Sequence, residues 1–370
     1  MDLRLLEQTL SERGEPRFRA AQVWAWAAKG ARGYEEMTNV PAALRETLAR
    51  ELPFSSLELR EERQARDGTV KALFATADGR ALEAVLMRYR DRPGGGHGRR
   101  SICVSSQSGC PLTCTFCATG QMRFARNLTV AEIVEQALHF RRRGAVDHCV
   151  FMGMGEPLLN LDNVLGACER LPDLGITHRR TTISTVGWIP GIERLAEQDM
   201  PLRLALSLHA ADEALRSELM PVNERFPLRE VIEASRAFYA RKRRRVFVEY
   251  VMLAGVNDRY EQALALARLL APRAPARPRG GGRVASDTGE AQVFKVNLIP
   301  YNPTGSPYEG SSRGAIAAFA TALAQQGIDA TVRLTRGRDI AAACGQLAAA
   351  SGSGAGSAPI RSSLQRGMGG

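Results

Sequence analysis

No stretch of this 370-residue chain approaches 18 consecutive apolar residues, so no transmembrane helix is expected. The first twenty residues, MDLRLLEQTLSERGEPRFRA, are charged throughout and lack the apolar core of a secretory leader. The expectation is a soluble, cytoplasmic protein with no membrane association. Cysteine is scarce. The seven present are too few and too clustered for a disulfide scaffold at this length. In an unsecreted chain such a cluster points to metal binding or catalysis. No internal repeat is visible, which excludes repeat architectures. Acidic residues are outnumbered, 39 against 50 basic, for a net charge of +11. That excess suits a polyanionic partner, nucleic acid above all, although it is almost all arginine and a coding bias produces the same imbalance.

With 44% hydrophobic residues the chain can bury a core, either as one large α/β domain with an appendage or as two domains. Residues 1–60 read as a helical accessory section. Apolar residues recur at helical spacing from Phe18 to Trp26, and a second helix starts at Val40 to Leu44. Residues 61–98 read as a β-hairpin linker, with apolar alternation over Val70–Thr76 and Ala81–Met87 around Asp78 and Gly79, followed by a flexible glycine-rich loop.

From 99 to 350 short apolar runs alternate with amphipathic helices. Strands are expected at Ile102–Ser105, Cys149–Met152, Thr181–Ser184, Arg203–Leu208, Val246–Met252 and Val293–Ile299. Helices are expected near 130–143, 161–171, 190–198, 228–243 and 259–270, the first opened by a capping box, Thr129 to Glu132. This cadence predicts an α/β fold with a parallel sheet, open or curled into a barrel, whose ligands sit at the carboxyl ends of the strands. Residues 272–292, rich in Pro, Gly and Arg, read as a flexible insertion, and 351–370 as a disordered tail.

Just after the first of those strands comes GCPLTCTFCATG, residues 109–120, holding Cys110, Cys114 and Cys117 as C-x3-C-x2-C. Three thiolates at this spacing can hold three corners of a [4Fe–4S] cluster and leave one iron open. A zinc site with a distant fourth ligand is the rival reading, and an open position marks a reactive site rather than a structural one.

The chain resembles the RlmN/Cfr branch of the radical SAM superfamily, which modifies an adenine of 23S ribosomal RNA. The motifs that carry the resemblance are C-V-S-S-Q-x-G-C-P-L-x-C-x-F-C-A-T-G at 103–120, G-M-G-E-P-L-L-N at 153–160 and T-I-S-T-x-G at 182–187. L-A-L-S-L-H-A at 204–210, L-I-P-Y-N-P at 298–303 and T-R-G-x-D-I-x-A-A-C-G-Q-L at 335–347 complete the set. The resemblance runs from about residue 16 to 349. It implies a partial (β/α)6 TIM-like barrel, a [4Fe–4S] cluster on Cys110, Cys114 and Cys117, and S-adenosylmethionine contacts at Gly155, Glu156, Ser184, Ser207, Leu208, His209 and Asn302.

It further implies that Cys344 carries a methyl group as S-methylcysteine, that Cys103 resolves the covalent intermediate through a transient disulfide, and that Glu83 accepts the ring proton. Two S-adenosylmethionine molecules would be used per turnover, with electrons from a flavodoxin- or ferredoxin-like donor. The implied substrates are 23S rRNA and tRNA, methylated at adenine C2. A Cfr-like C8 methyltransferase and a non-catalytic, metal-stabilised RNA-binding protein are the alternatives. A monomer is expected. Basic clusters at Arg99–Arg100, 141–143, Arg179–Arg180, 241–245 and at Arg333, Arg336 and Arg338 are candidates to meet phosphates. Cys149 and Cys168 read as buried small hydrophobes.

Overall fold

The computed structural model describes residues 1–89, 98–272 and 292–347. The expected glycine-rich loop (apart from Gly98), the flexible insertion (apart from Pro272 and Gln292) and the disordered tail lie outside the described residues.

Three helices open the chain: α1 (Leu3–Glu12), α2 (Phe18–Lys29) and α3 (Ala42–Glu51). Asp2 caps α1 by accepting from the Leu5 amide, and Gly30 ends α2 in the left-handed conformation. Three antiparallel strands follow, β1 (Glu58–Gln64), β2 (Val70–Ala75) and β3 (Ala81–Arg88). The expected hairpin is β2–β3, with Val70 opposite Leu86 and Phe74 opposite Leu82. It does not stand apart from the rest. β3 pairs with β4 (Arg100–Cys103), placing Val85 opposite Cys103, so one ten-stranded sheet runs through both sections.

β4 begins the parallel part. Next come β5 (His148–Phe151), β6 (Thr181–Thr185), β7 (Arg203–Ser207), β8 (Val246–Met252), β9 (Phe294–Pro300) and β10 (Ala330–Val332), each beside its predecessor. Helices α4 (Val130–Arg141), α5 (Leu161–Arg170), α6 (Ile189–Glu197), α7 (Glu213–Leu219), α8 (Leu228–Lys242), α9 (Tyr260–Leu270) and α10 (Arg313–Gln325) alternate with the strands. The fold is a partial (β/α)6 barrel.

Strand side chains alternate between faces, and here the two faces differ in chemistry. Ile102, Cys149, Ile183, Leu204, Leu206, Val248 and Tyr250 are fully buried apolar positions. The intervening positions are Cys103, Val150, Thr182, Ser184, Ser207, Glu249 and Asn297, and these line the inner cavities. Cys149 and Cys168 are fully buried in the apolar core, as expected.

The sequence reading assigns no element to α1, β1, α7, α10 or β10. β1, ELREERQ, is an exposed edge strand whose charges break the apolar alternation used to find strands.

Candidate active site

The cysteine loop leaves β4 and folds back over the carboxyl ends of the strands. Gly109, at φ +76°, turns it where an added Cβ would lie 2.3 Å from the Arg123 carbonyl oxygen. Distant segments fix its shape. The Thr115 amide donates to the Leu219 carbonyl at 3.0 Å, and the Thr304 hydroxyl donates to the Phe116 carbonyl at 3.0 Å. The chain end grips the loop as well. The Ala118 amide donates to the Gly345 carbonyl at 2.8 Å, and the Thr119 hydroxyl donates to the Leu347 carbonyl at 2.5 Å. Residues 343–347 are thereby fixed beside Cys117.

Residues 335–339, the T-R-G-x-D motif, set the other end of that segment. The Gly337 amide donates to Asp67 at 3.1 Å and the Arg66 amide donates to Asp339 at 3.1 Å. Gly337 has φ +64° and leaves no room for a Cβ against Thr69 and Ala342. The motif thus anchors the last segment on the β1–β2 turn and delivers Cys344 to the barrel.

Two adjoining cavities result. The larger, about 790 Å³ with its open mouth, is lined by Cys117, Phe116, Gly155, Glu156, Ser184, Ser207, His209 and Cys344 among others. The smaller is lined by Cys103, Asn302, Val85, Met87, Arg333 and Cys344. Met152, Ile299, Arg333 and Cys344 belong to both. Residues scattered from 103 to 344 therefore meet in one continuous space.

Each expected cofactor contact has a definite place. Gly155, at φ +96°, lets the backbone pass where a Cβ would meet the Gln107 side chain. Glu156 is buried and accepts from the Leu158 and Val186 amides, both at 3.0 Å. The Ser184 and Ser207 hydroxyls stand 3.4 Å apart. His209, at φ +61°, accepts the Val251 amide on Nδ1 and meets Phe116 edge-to-face at 4.7 Å. Burial pushes His209 down to about 3, so the ring stays neutral. Asn302 donates to the Cys344 carbonyl at 3.4 Å, while its Oδ1 is buried without a partner, an acceptor waiting for a donor. Leu208 differs from the others. Its side chain is in the core, its amide serves the Glu249 carbonyl, and its carbonyl accepts from Arg216.

The donor set fits an iron–sulfur cluster. Burial raises all three loop thiols, Cys110 to about 12, and the neighbouring thiols raise Cys114 further. Thiols so placed ionise when a metal's positive charge compensates them. Among the described residues no three Cys, His, Asp or Glu side chains converge on the position of a single ion.

All seven cysteines are free, so Cys103 and Cys344 are not disulfide-bonded here. Burial first, then the neighbouring Cys344, pushes the Cys103 thiol up to about 12, and Arg333 works in the opposite direction. Arg333 was expected among surface phosphate contacts. Instead it is half-buried close to both cysteines, with its guanidinium 3.4 Å from Glu249 and 3.4 Å from the Met152 sulfur. Strand alternation after Thr331 would have placed it on the inner face.

Glu83 lies on β3, on the same face as Val85 and Met87, yet lines neither cavity. Its carboxylate pairs with Lys71 at 2.9 Å, and Lys71 also donates to the Ala341 carbonyl at 3.3 Å. Lys71 therefore links Glu83 to the segment bearing Cys344, a connection that the sequence reading missed. It also missed Arg216, fully buried, which bridges the carbonyls of Val186 and Leu208 and so ties together the loops after β6 and β7.

The other basic clusters divide. Arg142 pairs with Glu135, Arg143 with Glu62 and Arg245 with Asp329. Arg99, Arg179, Arg180 and Arg244 have no carboxylate partner among the described residues.

Glu156 yields a stability prediction. Burial raises its carboxyl from the ordinary 4.5 to about 7. Between those two pH values the folded protein holds a proton that the unfolded chain has released. Stability of the metal-free protein therefore falls as pH rises through this window and levels off above it. Over that window the loss is about 3 kcal/mol. Glu156→Gln removes it, so urea unfolding at pH 5 and pH 8 should show a steeper decline for the wild type. An equal decline in both proteins would refute the assignment.

A partial (β/α)6 barrel with a three-cysteine loop at the carboxyl ends of its strands defines a radical SAM protein. The Radical SAM superfamily model matches residues 104–267, and the Ribosomal RNA large subunit methyltransferase N-terminal domain matches residues 1–52. A probable dual-specificity RNA methyltransferase RlmN from Chloroflexus aurantiacus is 45% identical over 93% of this chain and 90% of its own. The dual-specificity RNA methyltransferase RlmN of Anaeromyxobacter sp. is 42% identical over 94% and 89%. The crystal structure of a radical SAM methyltransferase from Sphaerobacter thermophilus superposes with a TM-score of 0.83 at 41% identity, covering 94% of this chain and 98% of that one. The chain belongs to the RlmN family of radical SAM RNA methyltransferases. No helix among the described residues is long and apolar enough to cross a membrane.

Proposed function

We propose that this protein methylates C2 of an adenine in 23S rRNA, and of an adenine in tRNA anticodon loops, by relaying the methyl group through Cys344. One observation carries the reading: Cys103 and Cys344 face a single cavity that is continuous with the one lined by Cys117, Glu156, Ser184, Ser207 and His209. A structural or purely RNA-binding role gives no reason to bring two free thiols together there.

Cys110, Cys114 and Cys117 would hold the [4Fe–4S] cluster. Glu156, Ser184, Ser207, His209 and Asn302 would hold S-adenosylmethionine. When bound, these groups supply a radical able to take one hydrogen from an S-methyl group.

The chain's own residues do the rest. The Cys344 thiolate first attacks the methyl carbon of S-adenosylmethionine: a new C–S bond forms, the sulfonium–methyl bond breaks, and S-adenosylhomocysteine leaves. After one hydrogen is lost, the Cys344-bound carbon bonds to the adenine. The adduct gives up one electron, which the cluster would take back when bound, and Glu83, held by Lys71, takes the ring proton. Cys103 thiolate then attacks the Cys344 sulfur. The S–S bond forms, the C–S bond breaks, and its electron pair passes to the base methylene, which takes up a proton. Arg333 provides the positive charge beside both sulfurs that this thiolate needs. An external electron donor restores the thiols, and each cycle uses two molecules of S-adenosylmethionine.

The test is mass spectrometry of nucleosides from protein-free 23S rRNA and from tRNA after anaerobic reaction with S-adenosylmethionine and reductant. The reading expects 2-methyladenosine in both. 8-Methyladenosine would establish the Cfr-like alternative, and neither product from an iron-loaded enzyme would contradict both.

A further inference from the structure

The amino ends of the barrel strands carry a second feature that the chemistry above does not use. A cavity opens there among Arg99 before β4, Arg180 before β6, Arg203 opening β7, Tyr89 and Phe247. Its walls include Ser101, Thr182 and Thr331, small polar side chains that leave the interior unfilled. Met152, Glu249 and Arg333 line both this cavity and the catalytic one, so one layer of side chains, joined through the Arg333 guanidinium, separates the two. Four residues of strand separate His148 at this end from Met152 at the thiol level, about 13 Å.

The charge here is unbalanced. None of Arg99, Arg180 and Arg203 has a carboxylate partner among the described residues. Two of the guanidiniums lie against aromatic rings: Arg99 is 4.1 Å from the Tyr89 centroid and Arg203 is 5.9 Å from that of Phe247. Arg179 and Arg244 lie beside them, and the Arg244 Nε is buried without a partner. Burial and the proximity of Arg99 both disfavour the charge on Arg203. The acids at the rim and wall are engaged: Asp147 accepts from His148 and the Arg100 amide, and Glu249 accepts from Arg333 and Asn297. Cations that repel one another in a half-buried cavity are stabilised by an anionic ligand.

We propose that this amino-end cavity is the entrance for RNA, where Arg99, Arg180 and Arg203 bind phosphates flanking the target nucleotide while the splayed-out base pushes past the Met152, Glu249 and Arg333 layer toward Cys344. This rests on the RNA methyltransferase reading above. Phe247 offers a stacking face for a neighbouring base. A base buried in a duplex could not reach this depth, so the site selects unpaired or flipped nucleotides.

The experiment measures binding of protein-free 23S rRNA to the reconstituted holoenzyme between about 50 and 200 mM salt, a range over which phosphate contacts weaken steeply. The Arg99→Gln/Arg180→Gln/Arg203→Gln variant should bind at least about tenfold more weakly. Its log Kd against log salt slope should flatten by about 2, the loss of three single-strand phosphate contacts. Arg194→Gln/Arg229→Gln, the same kind of charge loss on the outer helices α6 and α8, should leave the slope unchanged. Iron content and thermal unfolding check that the triple variant is folded. A second measurement needs no variant: RNA should shield Arg99, Arg180 and Arg203 of the wild type from an arginine-modifying glyoxal, read by peptide mass spectrometry. A wild type that methylates rRNA, with an unchanged slope in the triple variant and no shielding, overturns the entrance alone. A wild type that neither binds nor methylates rRNA overturns the function reading with it.

Discussion

Cys344→Ala abolishes RNA methylation and leaves the iron and sulfide content at the wild-type level. The expectation follows from separation of tasks in one cavity. Cys344 lies next to the loop carrying Cys117, but its segment meets that loop through backbone, the Ala118 amide on the Gly345 carbonyl. Removing one sulfur leaves that bond and the Thr119 to Leu347 bond intact. The side chain is only half-buried, so the substitution opens no large core void. What disappears is the sulfur proposed to carry the methyl group, and activity should fall to background rather than decline in part. Nucleoside analysis together with iron determination measures this. Residual methylation above background in a metal-loaded Cys344→Ala protein would sink the relay.

Cys103→Ala has an effect of similar size and a different signature. The steps before resolution need Cys344 and not Cys103, so the variant should join to RNA and stop. One RNA per protein should accumulate as an adduct that survives denaturing electrophoresis and is cleaved by no thiol reductant. Arg333 grades this effect. It is the cation that counters burial at the Cys103 thiol. Its loss should raise that thiol further and slow resolution near neutral pH. In Arg333→Gln the adduct should persist for longer and decay faster as pH rises, about tenfold per unit, because the thiolate is the attacking form. Glu249 keeps the Asn297 amide as a partner at 2.8 Å, which limits structural damage. Arg333→Lys should restore much of the rate. A merely structural Arg333 would lower stability without prolonging the adduct at a given pH.

Much of this was legible in the sequence. The alternation of short apolar runs with amphipathic helices marked all six strands β4 to β9 and helices α4, α5, α6, α8 and α9, because a strand covered by helices must be apolar on its outer face. The capping box at Thr129 is present as expected, with Glu132 reaching back to the Thr129 amide. The cysteine loop and the glycine–glutamate turn at 155–156 were legible because metal and ligand contacts demand rare residue types at fixed spacing.

What escaped was set by tertiary partners. Arg333 on a list of arginines is one cation among 50 basic residues. Only the parallel register of β10 with β9, Val332 beside Leu298, shows that the next residue turns inward. Lys71 reads as one polar residue in a hairpin until β2 sets it against Glu83 and under Ala341. The same register sorts the arginines. Arg142 meets Glu135 on the helix it caps and Arg143 meets Glu62 on β1, whereas Arg180 and Arg203 stand at the start of adjacent strands and line one cavity.

The central claim is that the methyl carbon passes through Cys344 and loses one hydrogen on the way. S-Adenosylmethionine carrying a trideuterated methyl tests it most directly. The relay predicts a methyladenosine with two deuterium atoms in its new methyl group and a third recovered in 5′-deoxyadenosine. Intact transfer of three deuterium atoms to the base would contradict it.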